Sequence, residues 1–104
     1  MSDCKWIVVM SVEEYRDTIH QLFLQSGIVV FSEVQVKGFR FTPSQLANEM
    51  ASIDQLGPIY SVVSFALTEV SHARLLLEKI EKFNSSEKRA RPLHAFQLNV
   101  EAMV

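Results

Sequence analysis

The feature that most constrains this chain is that its extended segments are apolar on both sides. Trp6 stands beside Ile7, Val8 beside Val9, Val30 beside Phe31, and Val62 beside Val63. Successive side chains of a strand point to opposite faces, so a sheet built from these segments has two apolar faces. The sequence supplies only two clearly amphipathic helical stretches, and two helices shield one face of a small sheet. The other face calls for a further layer. The simplest one is a second copy of the chain, packed face to face or edge to edge.

Local patterns give the order of elements. Residues 4–10 read as a first strand covered on both faces. Ser11 and Glu14 have the spacing of a capping box, with Met10 and Tyr15 placed as its hydrophobic staple. Val12, Tyr15, Ile19, Leu22 and Phe23 then share one helical face until Gly27 offers a left-handed stop. Residues 28–39 alternate as a long second strand. The connection 40–57 is too long for a tight hairpin and falls in the length range of functional or mobile loops. Within it, Thr42, Pro43 and Gln45 form a helix-start pattern, followed by a narrow stripe of Leu46, Met50 and Ile53. Residues 59–67 read as the third strand, with Ile59, Val63, Phe65 and Leu67 on its more apolar side.

Val70, Ala73, Leu76, Leu77, Ile80 and Phe83 mark a second helix, capped by Thr68 or Ser71. Residues 84–91 are polar and charged and are closed by Pro92, which predicts a surface loop. Residues 93–100 alternate as the last strand. The order β-α-β-β-α-β predicts an α+β, ferredoxin-like domain: a four-stranded antiparallel sheet with two helices on one face, oligomerising through the sheet.

At 104 residues the chain has the size of a single domain, and 48% of its residues are hydrophobic, enough for a core. A domain this small leaves roughly a third of its unfolded-chain surface exposed, which again favours association. A net charge of −2 argues against a broad surface for nucleic acid or anionic membrane. Cys4 is the only cysteine, so an intrachain disulfide and a cysteine-rich zinc site are excluded. With no basic-then-apolar leader and no apolar run near the ~20 residues that span a bilayer, the expected setting is cytoplasmic and not integral to a membrane.

Ser26-Gly27-Ile28 after the first helix, followed by Glu33-Val34-Gln35-Val36-Lys37-Gly38-Phe39, resembles the PII signal-transduction family. Val36-Lys37-Gly38-Phe39 matches the VKGF with which that family's long T-loop begins. Element order and lengths are similar over most of the chain: strand, helix, strand, T-loop, strand, helix, B-loop, final strand. The resemblance implies a homotrimer whose sheets line a central core. It also implies small effectors, usually adenine nucleotides, in clefts between subunits beneath the T-loop and B-loop. Lys37, Gly38 and Phe39 would mark the T-loop base, and 84–91 would occupy the B-loop position. The family's B-loop is glycine-rich, whereas 84–91 has no glycine, which widens the implied ligand to an adenine nucleotide or another small anion.

Lys88, Arg89 and Arg91 form the densest positive spot and can hold phosphate or carboxylate by charge-assisted bonds; a solvated basic loop is the plainer reading. Arg40 is a second candidate anion ligand, because Gly38 lets a ligand approach the backbone; a bend or bulge would equally use that glycine. His20, His72 and His94 lie in separate elements without ligand spacing and read as structural or surface histidines. No nucleophile elbow, phosphate-binding loop or carboxylate pair is present, and Glu13-Glu14 suits a helix start.

The expected function is a non-enzymatic regulator that senses a small anionic metabolite or nucleotide and signals to a partner protein through 40–57. One alternative is a CutA-like, metal-responsive or metal-handling trimer using a histidine or Cys4 at an interface. Another is a small dimeric monooxygenase-type enzyme with a cavity between sheet and helices.

Overall fold

The computed structural model describes residues 4–39, 58–86 and 92–104. The helix-start pattern in 40–57 and the basic residues of 87–91 lie outside the described residues. Strands β1 (Cys4–Val12), β2 (Ser32–Gly38), β3 (Ile59–Glu69) and β4 (His94–Asn99) form one antiparallel sheet in the order β2-β3-β1-β4. Helix α1 (Arg16–Gln25), entered through a single 3-10 turn at Glu13–Tyr15, and α2 (Val70–Ser86) complete the expected ferredoxin-like α+β architecture. No described helix is long and apolar enough to cross a membrane.

The register separates the two faces of the sheet. Ile7, Val9 and Ser11 pair with Ala66, Ser64 and Val62, and this side is covered: Ile7, Val9 and Val62 form one buried cluster with Ile19 and Phe23 of α1 and Leu76 and Ile80 of α2. The opposite side carries Trp6, Val8 and Met10 of β1, Val63, Phe65 and Leu67 of β3, Val34 and Val36 of β2, and Phe96 and Leu98 of β4. Val34, Leu67 and Leu98 are 47%, 47% and 51% exposed. Trp6 and Phe65 shield each other only partly, with ring centroids 5.1 Å apart. The predicted apolar side of the third strand is therefore the open side. The helices instead cover Val62, Ser64, Ala66 and Thr68. Their own bulk, led by Phe23, Ile19 and Leu76, fills the layer, so small strand residues suffice beneath them.

The start of α1 differs from the capping-box expectation. Ser11 stays in β1 opposite Val62, and its hydroxyl donates to the Val12 carbonyl at 2.8 Å. The 3-10 turn opens after Val12 without a side-chain cap. Met10 faces the open side, while Tyr15 meets Phe83 edge-on at 5.7 Å, so the predicted staple gives way to a contact between the helical segments. The end of α1 is as expected. Gly27 has φ +85°, its N–H donates to Leu24 O at 3.1 Å, and Ile28 N–H donates to Phe23 O at 2.9 Å. These two bonds are the closure of a Schellman motif.

β2 begins at Ser32 and not at 28, because the preceding segment packs on α1. Ile28 is buried, and the Phe31 ring stacks on Phe23 at 4.5 Å and meets His20 at 5.3 Å. Glu33 then accepts from Arg16 Nε at 2.7 Å and pairs with His20 Nε2 at 2.6 Å. α2 follows β3 directly, with Glu69 before it, so neither Thr68, in the strand, nor Ser71, in the helix, stands in the cap position. The helix also continues through residues 84–86, predicted as loop. Ser85 and Ser86 donate their hydroxyls to the Glu81 and Phe83 carbonyls, each at 2.9 Å, back-bonds to the helix's own main chain, of which the one to Phe83 meets a carbonyl that the helix end leaves open.

Candidate ligand cleft at the loop end of the sheet

All four strands bring an end to one place. Val12 pairs with Ser61, Gly38 with Ile59 and Met10 with His94. The 40–57 connection joins Phe39 to Pro58 here, and the 87–91 segment runs from Ser86 to Pro92. A cleft of about 310 Å³ opens on the uncovered side at this end, walled by Met10, Val36, Gly38, Ile59, Ser61, Val63, Pro92 and His94 among others. The wall is mostly apolar, and its side-chain polarity comes from the His94 ring and serine hydroxyls. The Ser61 hydroxyl is engaged with its own strand, donating to Ile59 O at 3.3 Å.

Of the predicted site residues, Gly38 lines this cleft. The β2–β3 ladder runs unbroken to Gly38, so no bulge accounts for the glycine. A Cβ there would meet Ile59 O at an ordinary 3.5 Å; the missing side chain leaves the β2 backbone open to the cleft. Lys37 pairs with Tyr60, which by alternation turns it to the other side of the sheet. Phe39 follows the strand, 46% exposed, outside the wall. Arg40, Lys88, Arg89 and Arg91 lie outside the described residues.

Met10, Ile59, Ser61 and His94 are wall residues that no motif marks. His94 was reachable only through the alternation that puts it on the side of Phe96 and Leu98. The entry to β4 is fixed by Asn84. Its Nδ2 donates to Leu93 O and its Oδ1 accepts from Leu93 N–H, each at 2.9 Å. This amide pair imitates a rung of a strand ladder and ties the end of α2 to buried Leu93, between the cleft residues Pro92 and His94.

The three histidines are dispersed: His20 on Glu33, His72 over Gly27, and His94 in the cleft. Among the described residues no group of three histidine, cysteine or acidic side chains is placed to hold a metal ion.

No family model and no curated protein matches the sequence, but solved structures share its architecture. A nitrogen regulatory PII-like protein, CPII of Thiomonas intermedia, bound to ADP, AMP and bicarbonate, aligns over 97% of this chain and 96% of its own at 13% identity and a TM-score of 0.61. A candidate PII-like signalling protein of Thermus thermophilus aligns over 93% and 86% at 11% identity, TM-score 0.63. A member of the DUF3240 family from Shewanella baltica aligns over 100% and 97% at 12% identity, TM-score 0.66. The chain thus has a ferredoxin-like fold of the PII-like kind. At 11–13% identity, the likeness to these proteins shows the fold alone.

Proposed function

We propose that the protein is a non-enzymatic, PII-like regulator, cytoplasmic and homotrimeric, that binds a small anionic ligand at the loop end of the sheet. The observation that carries this reading is the cleft itself: it opens where the long 40–57 connection and the short 87–91 segment leave a PII-like fold, and Gly38 of the VKGF match lies in its wall. Gly38 would admit the ligand to the backbone, with Lys37, Phe39 and Arg40 at the base of 40–57. Lys88, Arg89 and Arg91 would supply cations from the 87–91 segment. An adenine nucleotide is the first ligand to try, since a protein of like fold was solved with ADP, AMP and bicarbonate. Occupancy would shift the population of 40–57 between free and docked arrangements and so alter contact with a target protein. The apolar open face of the sheet supports association into a trimer.

Calorimetric titration with ADP, AMP and bicarbonate tests the ligand, repeated on the Lys88→Ala, Arg89→Ala, Arg91→Ala triple variant. Binding that weakens at least about tenfold in the variant is expected, because each charge-assisted bond contributes about 1.5–3 kcal/mol. Absence of binding to all three overturns the nucleotide reading.

A further inference from the structure

Between α2 and the start of β4 lies a groove of about 390 Å³, lined by Leu77, Ile80, Leu93 and Ala95 together with the polar Glu81 and Asn84, among others. On the strand side the groove is bordered by Leu93 and by His94 and Ala95 at the start of β4. The sheet order ends at β4, so one row of its backbone N–H and C=O groups has no strand beside it among the described residues. Natural sheets blunt such edges with lysines, prolines, bulges or inward charges. His94-Ala95-Phe96-Gln97-Leu98-Asn99 contains none of these residues and keeps an unbroken register with β1. The opposite edge strand, β2, carries Glu33, ion-paired to α1, and Lys37.

Residues 100–104 follow β4 directly. Every side chain from Glu101 to Val104 is exposed, with Met103 at 63%. We propose that residues 100–104 of a second copy lie along the outer edge of β4 as an added strand and close the groove against α2. The five residues Val100-Glu101-Ala102-Met103-Val104 hold one charged side chain and are one residue shorter than the six of β4. The edge is also continuous with the face proposed to join copies, because Phe96 and Leu98 belong to both. Every copy offers both the edge and the segment, so the contact is built from one chain alone. Main-chain bonds give such a strand its affinity and the groove gives its selectivity. This inference rests on copies associating, and not on ligand binding.

Hydrogen exchange followed by mass spectrometry on the full chain tests it. Slow exchange is expected in both 95–99 and 101–104. A chain stopped after Asn99 and a full-length Ala102→Pro variant are both expected to lose protection at the 95–99 amides that point away from β1, while those bonded to β1 stay protected and far-UV circular dichroism stays unchanged. Fast exchange of 101–104 in the full chain, even with a trimeric mass, overturns the inference and leaves the open-face reading standing. Slow exchange of the outward-pointing 95–99 amides that survives removal of 100–104 also overturns it, since another segment then covers the edge. A Val34→Glu variant that becomes monomeric yet keeps 95–104 protected also overturns it, because no second copy is then there to cover the edge.

Discussion

At Gly27 two demands meet on one residue. Its φ of +85° is costly for any residue with a side chain, and a Cβ would sit 3.1 Å from His72 Nε2. Gly27→Ala is therefore expected to lower stability by at least about 1–2 kcal/mol from backbone strain alone, measured as a fall in urea midpoint at constant slope. Ser64 presents the reverse case. It is fully buried opposite Val9, and its hydroxyl has no hydrogen-bond partner among the described residues. A buried unpaired hydroxyl costs about 1–3 kcal/mol, so Ser64→Ala is expected to leave the urea midpoint unchanged or raise it. A clear loss of stability would show that the hydroxyl has a partner in solution.

Between elements, side chains do what loops cannot. Glu33 holds β2 to α1 through Arg16 and His20. Arg16 is about half exposed, so water screens this clamp, and Glu33→Ala is expected to cost no more than about 1 kcal/mol. Asn84 makes two bonds to a backbone that has no other way out of the core, and Asn84→Ala strands the Leu93 N–H. A larger loss, about 1–3 kcal/mol, is expected there, together with faster exchange of the Leu93 amide.

The sequence made the existence of these elements legible because apolar period is a local property. The stripes ending in Phe23 and Phe83 could belong only to helices, and Gly27 could only end one. The start of β2 was not legible, since Phe31 fits the alternation of a strand as well as it fits a stack on Phe23. The end of α2 was hidden because Asn84, Ser85 and Ser86 look like loop residues until their side chains are seen to bond back to the main chain. Of the candidate cleft, Gly38 was legible from the VKGF match. The turning away of Lys37 and the inclusion of His94 depend on pairing with distant strands, which no local window contains.

For the whole molecule, the decisive arrangement is which face the helices chose. Alternation could show two apolar faces but not which one would be covered, because helix bulk and strand bulk compensate each other across the layer. A charge on the open side, as in Val34→Glu, would be buried unpaired in the proposed assembly at a cost of several kcal/mol. The expected result is a fall from trimeric to monomeric mass by light scattering with unchanged circular dichroism, and weaker ligand binding if the clefts form between subunits.

In the proposed assembly, the division of β3 into a covered row, Val62, Ser64, Ala66 and Thr68, and an open row, Val63, Phe65 and Leu67, also divides two kinds of heat sensitivity along one strand. Substitutions in the covered row should shift the melting temperature equally at every protein concentration. Those in the open row should change how steeply melting depends on dilution, since a subunit partner stabilises by mass action. A melting series at varied concentration along β3 would then read out a period of two, folding on even-numbered residues and association on odd.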